Sequence, residues 1–260
     1  MTVEKKSRKQ CNLLDARKKD IGEKTPGSLK IGIFGGTFNP VHFGHLRTAE
    51  EVYERLGLSK IIFIPASRPP HKNSSKIVSF VHRWKMLELA IGDNPHFCLS
   101  DIENKRPGKS YSVDTLLQLK KIYPKPSSLY FLLGIDAFQE ITSWKEYKKL
   151  FELTSFVILA RPGYNISKTY GLLRSEISDA YEYIEEDKLF AHPTLENVYF
   201  CEVTLLDISS TRIRELVSGR LSIKYLVPDP VRDYIEKTHI YINDEEGLKY
   251  CGYQDKARSQ

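Results

Sequence analysis

The 260-residue chain is 41% hydrophobic, enough for the core of one large α/β domain with appendages. Its longest apolar runs, such as 156–160, are far too short to span a bilayer, and the polar, lysine-rich N-terminus has neither the apolar stretch of a secretory signal nor the acid-poor composition of a transit peptide. The net charge of +6 suits nucleic acid and phosphorylated small molecules alike, and four cysteines without framework spacing, Cys11, Cys98, Cys201 and Cys251, suit a reducing cytoplasm.

Residues 1–28 carry Lys5, Lys6, Arg8, Lys9, Lys18 and Lys19 among few large apolar residues and close at Pro26-Gly27, so they read as a polar basic extension. An apolar strand then runs through Ile33 and Phe34 into Gly35-Gly36-Thr37-Phe38-Asn39-Pro40, followed by His42 and His45. Gly35 and Gly36 are expected to let the backbone turn sharply and approach a ligand, while a helix beginning near Gly44 aims N–H groups into that turn. His42 and His45, three apart, share a helical face and can donate to one group of oxygens. Metal ligation by the same pair wants a third ligand in register, and the sequence has neither H-E-x-x-H nor a paired C-x-x-C.

Leu46, Ala49, Val52, Tyr53 and Leu56 continue at helical spacing, and Lys60–Pro65 is a short strand, completing a βαβ unit. Arg68, His71 and Lys72 follow at the C-terminal end of that strand, where open parallel sheets bind ligands; an ordinary solvated loop is the competing use. Trp84, Leu87, Ala90 and Ile91 mark a second helix and 97–99 a short strand; a third helix begins within 110–117, capped by Ser110 or Ser112. The buried-type strand 129–133 ends at Gly134-Ile135-Asp136, whose carboxylate is placed either to accept from a ribose or purine amine or to cap a helix. Trp144 is core or a stacking partner for an aromatic ring.

After the buried strand 156–160, residues 164–197 are polar and show no chemistry, and 198–203 reads as the last strand. Ser209-Ser210-Thr211-Arg212-Ile213-Arg214 then offers hydroxyls, helix-start N–H groups and guanidinium forks, a second anion site, although serine-rich caps also occur without a ligand. Pro228 opens a final helix, and a polar tail runs from about 242. The alternation of strands and helices predicts an α/β, Rossmann-like, doubly wound parallel sheet with helices on both faces and a small C-terminal helical part.

Taken in order, these stretches resemble the bacterial-type nicotinate mononucleotide adenylyltransferases of the nucleotidyltransferase superfamily. The likeness runs from Gly35–Pro40 with His42-x-Gly44-His45, through Pro69-Pro70-His71-Lys72, Ser110-Tyr111-Ser112-x-Asp114-Thr115-Leu116, Gly134-x-Asp136 with Trp144 and Ala160-Arg161-Pro162-Gly163, to Ile208-Ser209-Ser210-Thr211-x-Ile213-Arg214. It implies a nucleotidyltransferase domain over 29–241, its helical part starting near 207, that joins ATP to nicotinate mononucleotide in the cytoplasm. By the same resemblance His42, His45, Lys72 and Arg214 are catalytic, and Gly35, Gly36, Thr37, Phe38, Gly134, Asp136, Ser209, Ser210 and Thr211 hold ATP. Tyr111, Ser112, Trp144, Lys145 and Arg161 surround the mononucleotide, Trp144 stacking on the pyridine and Ser112 with backbone donors at 144–145 receiving the carboxylate. Magnesium comes with ATP and no protein metal site is expected. The implied partners are ATP and a pyridine mononucleotide, with no nucleic acid and no membrane, and a homo-oligomer is left open.

Three positions depart from the family pattern: Asn39 replaces a frequent Asp and removes a charge near the phosphates, Ser112 keeps the hydroxyl of a frequent Thr, and Lys145 stands where aromatic residues or histidine are commoner. The neighbouring alternatives are transfer to nicotinamide mononucleotide or phosphopantetheine, and a nucleotide-binding sensor without turnover.

Overall fold

The computed structural model describes residues 29–69, 77–160, 166–204 and 206–242. Eight strands form one sheet: β1 (Lys30–Gly36), β2 (Lys60–Pro65), β3 (Phe97–Leu99), β4 (Ser128–Gly134), β5 (Ser155–Ala160), β6 (Glu182–Ile184), β7 (Leu189–Ala191) and β8 (Val198–Glu202). Their spatial order is β3-β2-β1-β4-β5-β8-β7-β6. The first six in that order are parallel. The chain works outward from β1 to β3, then returns to β4 on the other flank of β1. That reversal makes the β1/β4 boundary the topological switch point, where such sheets open a crevice at their C-terminal edge.

Strand period divides the core in two. Ile31, Ile33, Ile62, Ile64, Phe131 and Leu133 face one way, against Val113, Leu116 and Leu119 of α3 (Ser112–Ile122), Phe138 of α4 (Ile135–Gln139) and Leu150 and Phe151 of α5 (Tyr147–Leu153). Phe34, Ile61, Phe63 and Leu132 face the other, against Ala49 and Val52 of α1 (Phe43–Leu56) and Met86 and Leu87 of α2 (Phe80–Ile91). After α6 (Ser167–Leu172), the C-terminal helices α7 (Ser210–Ser218) and α8 (Asp229–Thr238) join this second core through Ile213, Val231 and Ile235. The helices on both faces and the doubly wound sheet are as the alternating pattern predicts.

The far edge differs. The strand at 198–202 is last in sequence but interior in the sheet, because β7 pairs antiparallel with it and β6 antiparallel with β7. The hairpin turns at Lys188, φ 48, and is held by Tyr181 and Phe190, both fully buried. Its two strands are three residues each inside a polar stretch, too short for their alternation to register in the sequence. An antiparallel edge on an otherwise parallel sheet is common.

Candidate active site

The first motif reverses the chain at the end of β1, by a different device from the one the glycines suggest. Gly35 and Gly36 belong to the strand, and neither has a positive φ; the turn is made at Phe38, φ 48, with a cis bond between Asn39 and Pro40. Gly36 is needed for space: a Cβ there would lie 2.8 Å from the Phe38 ring, which is buried against Phe34 and Phe63. Three of the turn's carbonyls are engaged by side chains. Thr37 O accepts from Arg83 Nη1 at 2.9 Å, Asn39 O from Arg214 Nη1 at 2.8 Å and Pro40 O from the Ser210 hydroxyl at 2.8 Å. Carbonyls tied to protein cations and hydroxyls leave the site edge without their negative ends, which favours an anion.

His42 caps α1 and His45 is its third residue, as their spacing predicts. The His42 N–H donates to His45 Nδ1 at 3.3 Å, so His45 carries its proton on Nε2 and presents a donor there. The two rings stack with centroids 3.7 Å apart. His42 is buried, its Nδ1 lacks a hydrogen-bond partner among the described residues, and burial pulls its pKa down to about 4. It is therefore neutral at physiological pH until an anion arrives. The unfolded chain takes up this proton near 6.5 and the folded one near 4, so stability present above pH 6.5 is lost as pH falls toward 4. Urea titrations at pH 7 and pH 4.5 should show His42→Gln escaping about 2 to 3 kcal/mol of the acid loss that the parent chain suffers.

Gly44 completes this arrangement. A Cβ on it would sit 3.0 Å from His42 Nδ1 and 3.1 Å from Cε1, so the ring lies directly over it. Gly44→Ala is expected to lower turnover about tenfold by pushing the ring aside while leaving the melting temperature unchanged or higher, since alanine favours the helix. Equal turnover in the two proteins would show that the ring has room to shift.

The second motif faces the first across a cavity of about 880 Å³. Ser209 caps α7 by accepting the Arg212 N–H at 3.1 Å, Ser210 bonds the first turn, and Thr211 Oγ1 accepts from Arg214 Nη2 at 3.2 Å. Arg214 thus bridges the two motifs. Arg212 instead turns outward to Glu215, at 3.3 Å. The cavity is walled by Thr37, His42, His45, Ser210, Thr211 and Arg214 among others, and among the described residues no carboxylate lines it. Gly134 reaches it; Asp136 stands exposed on α4 and is not part of the wall.

A second cavity, of about 270 Å³, opens on the opposite face of β1. Tyr111, Ser112, Trp144 and Lys145 all line it, with Phe131 edge-on to Trp144 at 6.3 Å. Trp144 is half-buried, packed against the core and also lining the cavity. Lys145 Nζ reaches Asp114 at 3.2 Å and lies 5.0 Å over the Tyr111 ring, closing the rim between α3 and the 144–146 loop. Neither serine caps α3 with its side chain: the cap position is Tyr111. Ser110 Oγ instead accepts the N–H groups of Ser67 and Arg68 at 3.0 and 3.1 Å, clipping the loop after β2 to the cavity wall. Gly35, expected on the ATP side, lines this cavity instead.

Gly36 and Thr37 line both cavities, which therefore adjoin over the end of β1. Lys72 and Arg161, with Pro70 and His71, lie outside the described residues. Three participants escape a reading of the sequence. Arg83, 1% exposed, spends its guanidinium on the carbonyls of Thr37, Ser67 and Val78. Glu103, in the wall of the second cavity, receives the Thr115 hydroxyl at 2.8 Å on one oxygen, while the other is buried and has no hydrogen-bond partner among the described residues; burial pushes its carboxyl up. Tyr241 bonds the Asn39 side chain at 2.9 Å. Their partners, from five to 202 residues away, follow no helix or strand spacing, so no local pattern signals them.

Two adjoining cavities at a switch point, one edged by histidines and an arginine and the other by aromatic rings, suit a nucleotidyltransferase, and the Cytidylyltransferase-like family model matches residues 33–216. Proteins of Syntrophotalea carbinolica and Geotalea uraniireducens, each named probable nicotinate-nucleotide adenylyltransferase, are both 46% identical to the chain; the first match covers 84% of it and 99% of the relative, the second 82% and 98%. The chain belongs to the nicotinate-nucleotide adenylyltransferases, within the cytidylyltransferase-like family. Its fold is also that of the Plasmodium falciparum nicotinic acid mononucleotide adenylyltransferase complexed with NaAD, with a TM-score of 0.64 at 22% identity over 82% of this chain and 97% of that one.

Proposed function

We infer that the chain transfers the adenylyl group of ATP to nicotinate mononucleotide, giving nicotinate adenine dinucleotide and pyrophosphate in NAD biosynthesis. The relatives' names support the reaction, and one observation supports its place here: the two cavities meet at Gly36–Thr37, where a phosphate from each side can come into contact. ATP occupies the larger cavity and the pyridine ring the smaller, against Trp144. An oxygen of the mononucleotide phosphate attacks the α-phosphorus, a P–O bond forms, and the bond to the α–β bridging oxygen breaks. The attacking phosphate is already ionised, so no protein nucleophile is needed. Two anions must be brought together, and the chain's part is to position them and offset their charge.

His45 donates from Nε2 and His42 becomes a donor or cation as phosphate approaches its buried ring. Arg214, already held at the junction of the two motifs, contributes a fixed positive charge. Magnesium travels with the triphosphate as part of the substrate and offsets its charge. The Ser112 hydroxyl and the Lys145 N–H are donors suited to a carboxylate, which accepts only, while the Trp144 N–H is committed to Ile141 O at 3.0 Å. No helix among the described residues is long and apolar enough to cross a membrane, and we place the reaction in the cytoplasm, where ATP is abundant. A pyrophosphate-release assay with ATP and magnesium over nicotinate mononucleotide, nicotinamide mononucleotide and phosphopantetheine tests the proposal. Nicotinate mononucleotide should exceed the amide about tenfold or more in kcat/KM. Release with phosphopantetheine alone, or tight ATP binding without turnover on any of the three, would overturn it.

A further inference from the structure

Beyond α8 the chain turns back at His239, φ 52, and Tyr241, φ 69, and brings the Tyr241 ring under the first motif. Its hydroxyl donates to Asn39 Oδ1 at 2.9 Å, across 202 residues of sequence. The same oxygen accepts the Val78 N–H at 3.3 Å, and the Asn39 side chain is 5% exposed. The Asn39 carbonyl meanwhile holds Arg214 at 2.8 Å. One residue of the turn thus receives Tyr241 through its side chain and the site's arginine through its backbone. Burial keeps the phenol protonated far above its ordinary range, although the guanidiniums of Arg214 and Arg83 pull the other way, so the hydroxyl is a donor at every working pH.

We propose that Tyr241 is a positioning residue of the triphosphate site: its hydroxyl fixes Asn39, and through Asn39 the register in which the 37–40 turn meets Arg214 and Ser210. This rests on reading the larger cavity as the ATP site. A ring that only filled space would not need its hydroxyl, and phenylalanine would serve. Without the hydroxyl, Asn39 Oδ1 loses its shorter bond and keeps the longer one to Val78, and the carbonyl that orients Arg214 is held less firmly. The effect falls on ATP and spares the mononucleotide, because Asn39 and Arg214 line the larger cavity and neither lines the smaller. It also gives Asn39 a use that its lost charge conceals: its side chain faces the C-terminal segment.

The test is Tyr241→Phe in the full chain, with Asn39→Ala and the double variant. Affinity for an α,β-methylene analogue of ATP should fall about tenfold in Tyr241→Phe, as expected for one hydrogen bond, with the KM for nicotinate mononucleotide and the melting temperature nearly unchanged. The two substitutions should not add, since either one breaks the same link. Unchanged analogue affinity, equal weakening of both substrates, or additive effects would each overturn the assignment. Analogue binding needs no turnover, so a chain inactive on every mononucleotide would refute the proposed reaction while this measurement still decides the role of Tyr241.

Discussion

His45→Ala is expected to lower kcat about a hundredfold while the protein stays folded, the loss that follows from removing one preorganised donor aimed at developing charge. His45 is half-buried at the mouth of the larger cavity, and its Nδ1 is committed to the His42 N–H, so Nε2 is the atom presented as donor. Its contacts within the fold are modest, among them that long hydrogen bond at 3.3 Å, the ring contact with His42 at 3.7 Å and edge contacts with Phe34 and Phe38. Steady-state kinetics with saturating ATP and nicotinate mononucleotide, together with a thermal melt, separate the two effects. Turnover equal to that of the parent would remove His45 from the mechanism.

Arg83→Met should do the opposite kind of damage, lowering stability by about 3 to 5 kcal/mol, a large part of a typical domain's total. The guanidinium is buried and serves three carbonyls, Val78 O at 3.1 Å, Thr37 O at 2.9 Å and Ser67 O at 3.4 Å, all of which would lose their donor in a place water reaches poorly. These carbonyls belong to the end of the first motif, the loop after β2 and the approach to α2, so one side chain ties together three segments around the site. Arg83→Lys should recover little, because a single ammonium cannot reproduce a planar fork with donors pointing in three directions. Urea denaturation of the three proteins measures this; a lysine variant as stable as the parent would show that charge, and not the fork, is what the position requires.

The residues legible in the sequence are those whose partners are close by. His42 and His45 stand one helical turn apart, and Ser209 to Arg214 form one helix start, so spacing marked both motifs, and the structure brings them to one cavity. Ser112 and Trp144 were placed by family resemblance, and the structure brings both to one cavity. Arg83, Glu103 and Tyr241 were not legible, because each acquires its use from contacts with distant segments. Gly35 and Gly36 were misjudged for a related reason: a glycine that makes a turn and a glycine that makes room for a distant ring look alike until Phe38 is seen folded back over the strand. The hairpin at 182–191 escaped because its strands are short and its apolar residues few.

Adenylyl transfer at the junction of the two cavities is tested most directly by the fate of the α-phosphorus. With ATP labelled at the α-phosphate and nicotinate mononucleotide as acceptor, the label should appear in the dinucleotide, and with γ-labelled ATP it should appear in pyrophosphate. Label from the γ-phosphate in the pyridine product, or no transfer of the α-label to any acceptor, would contradict it.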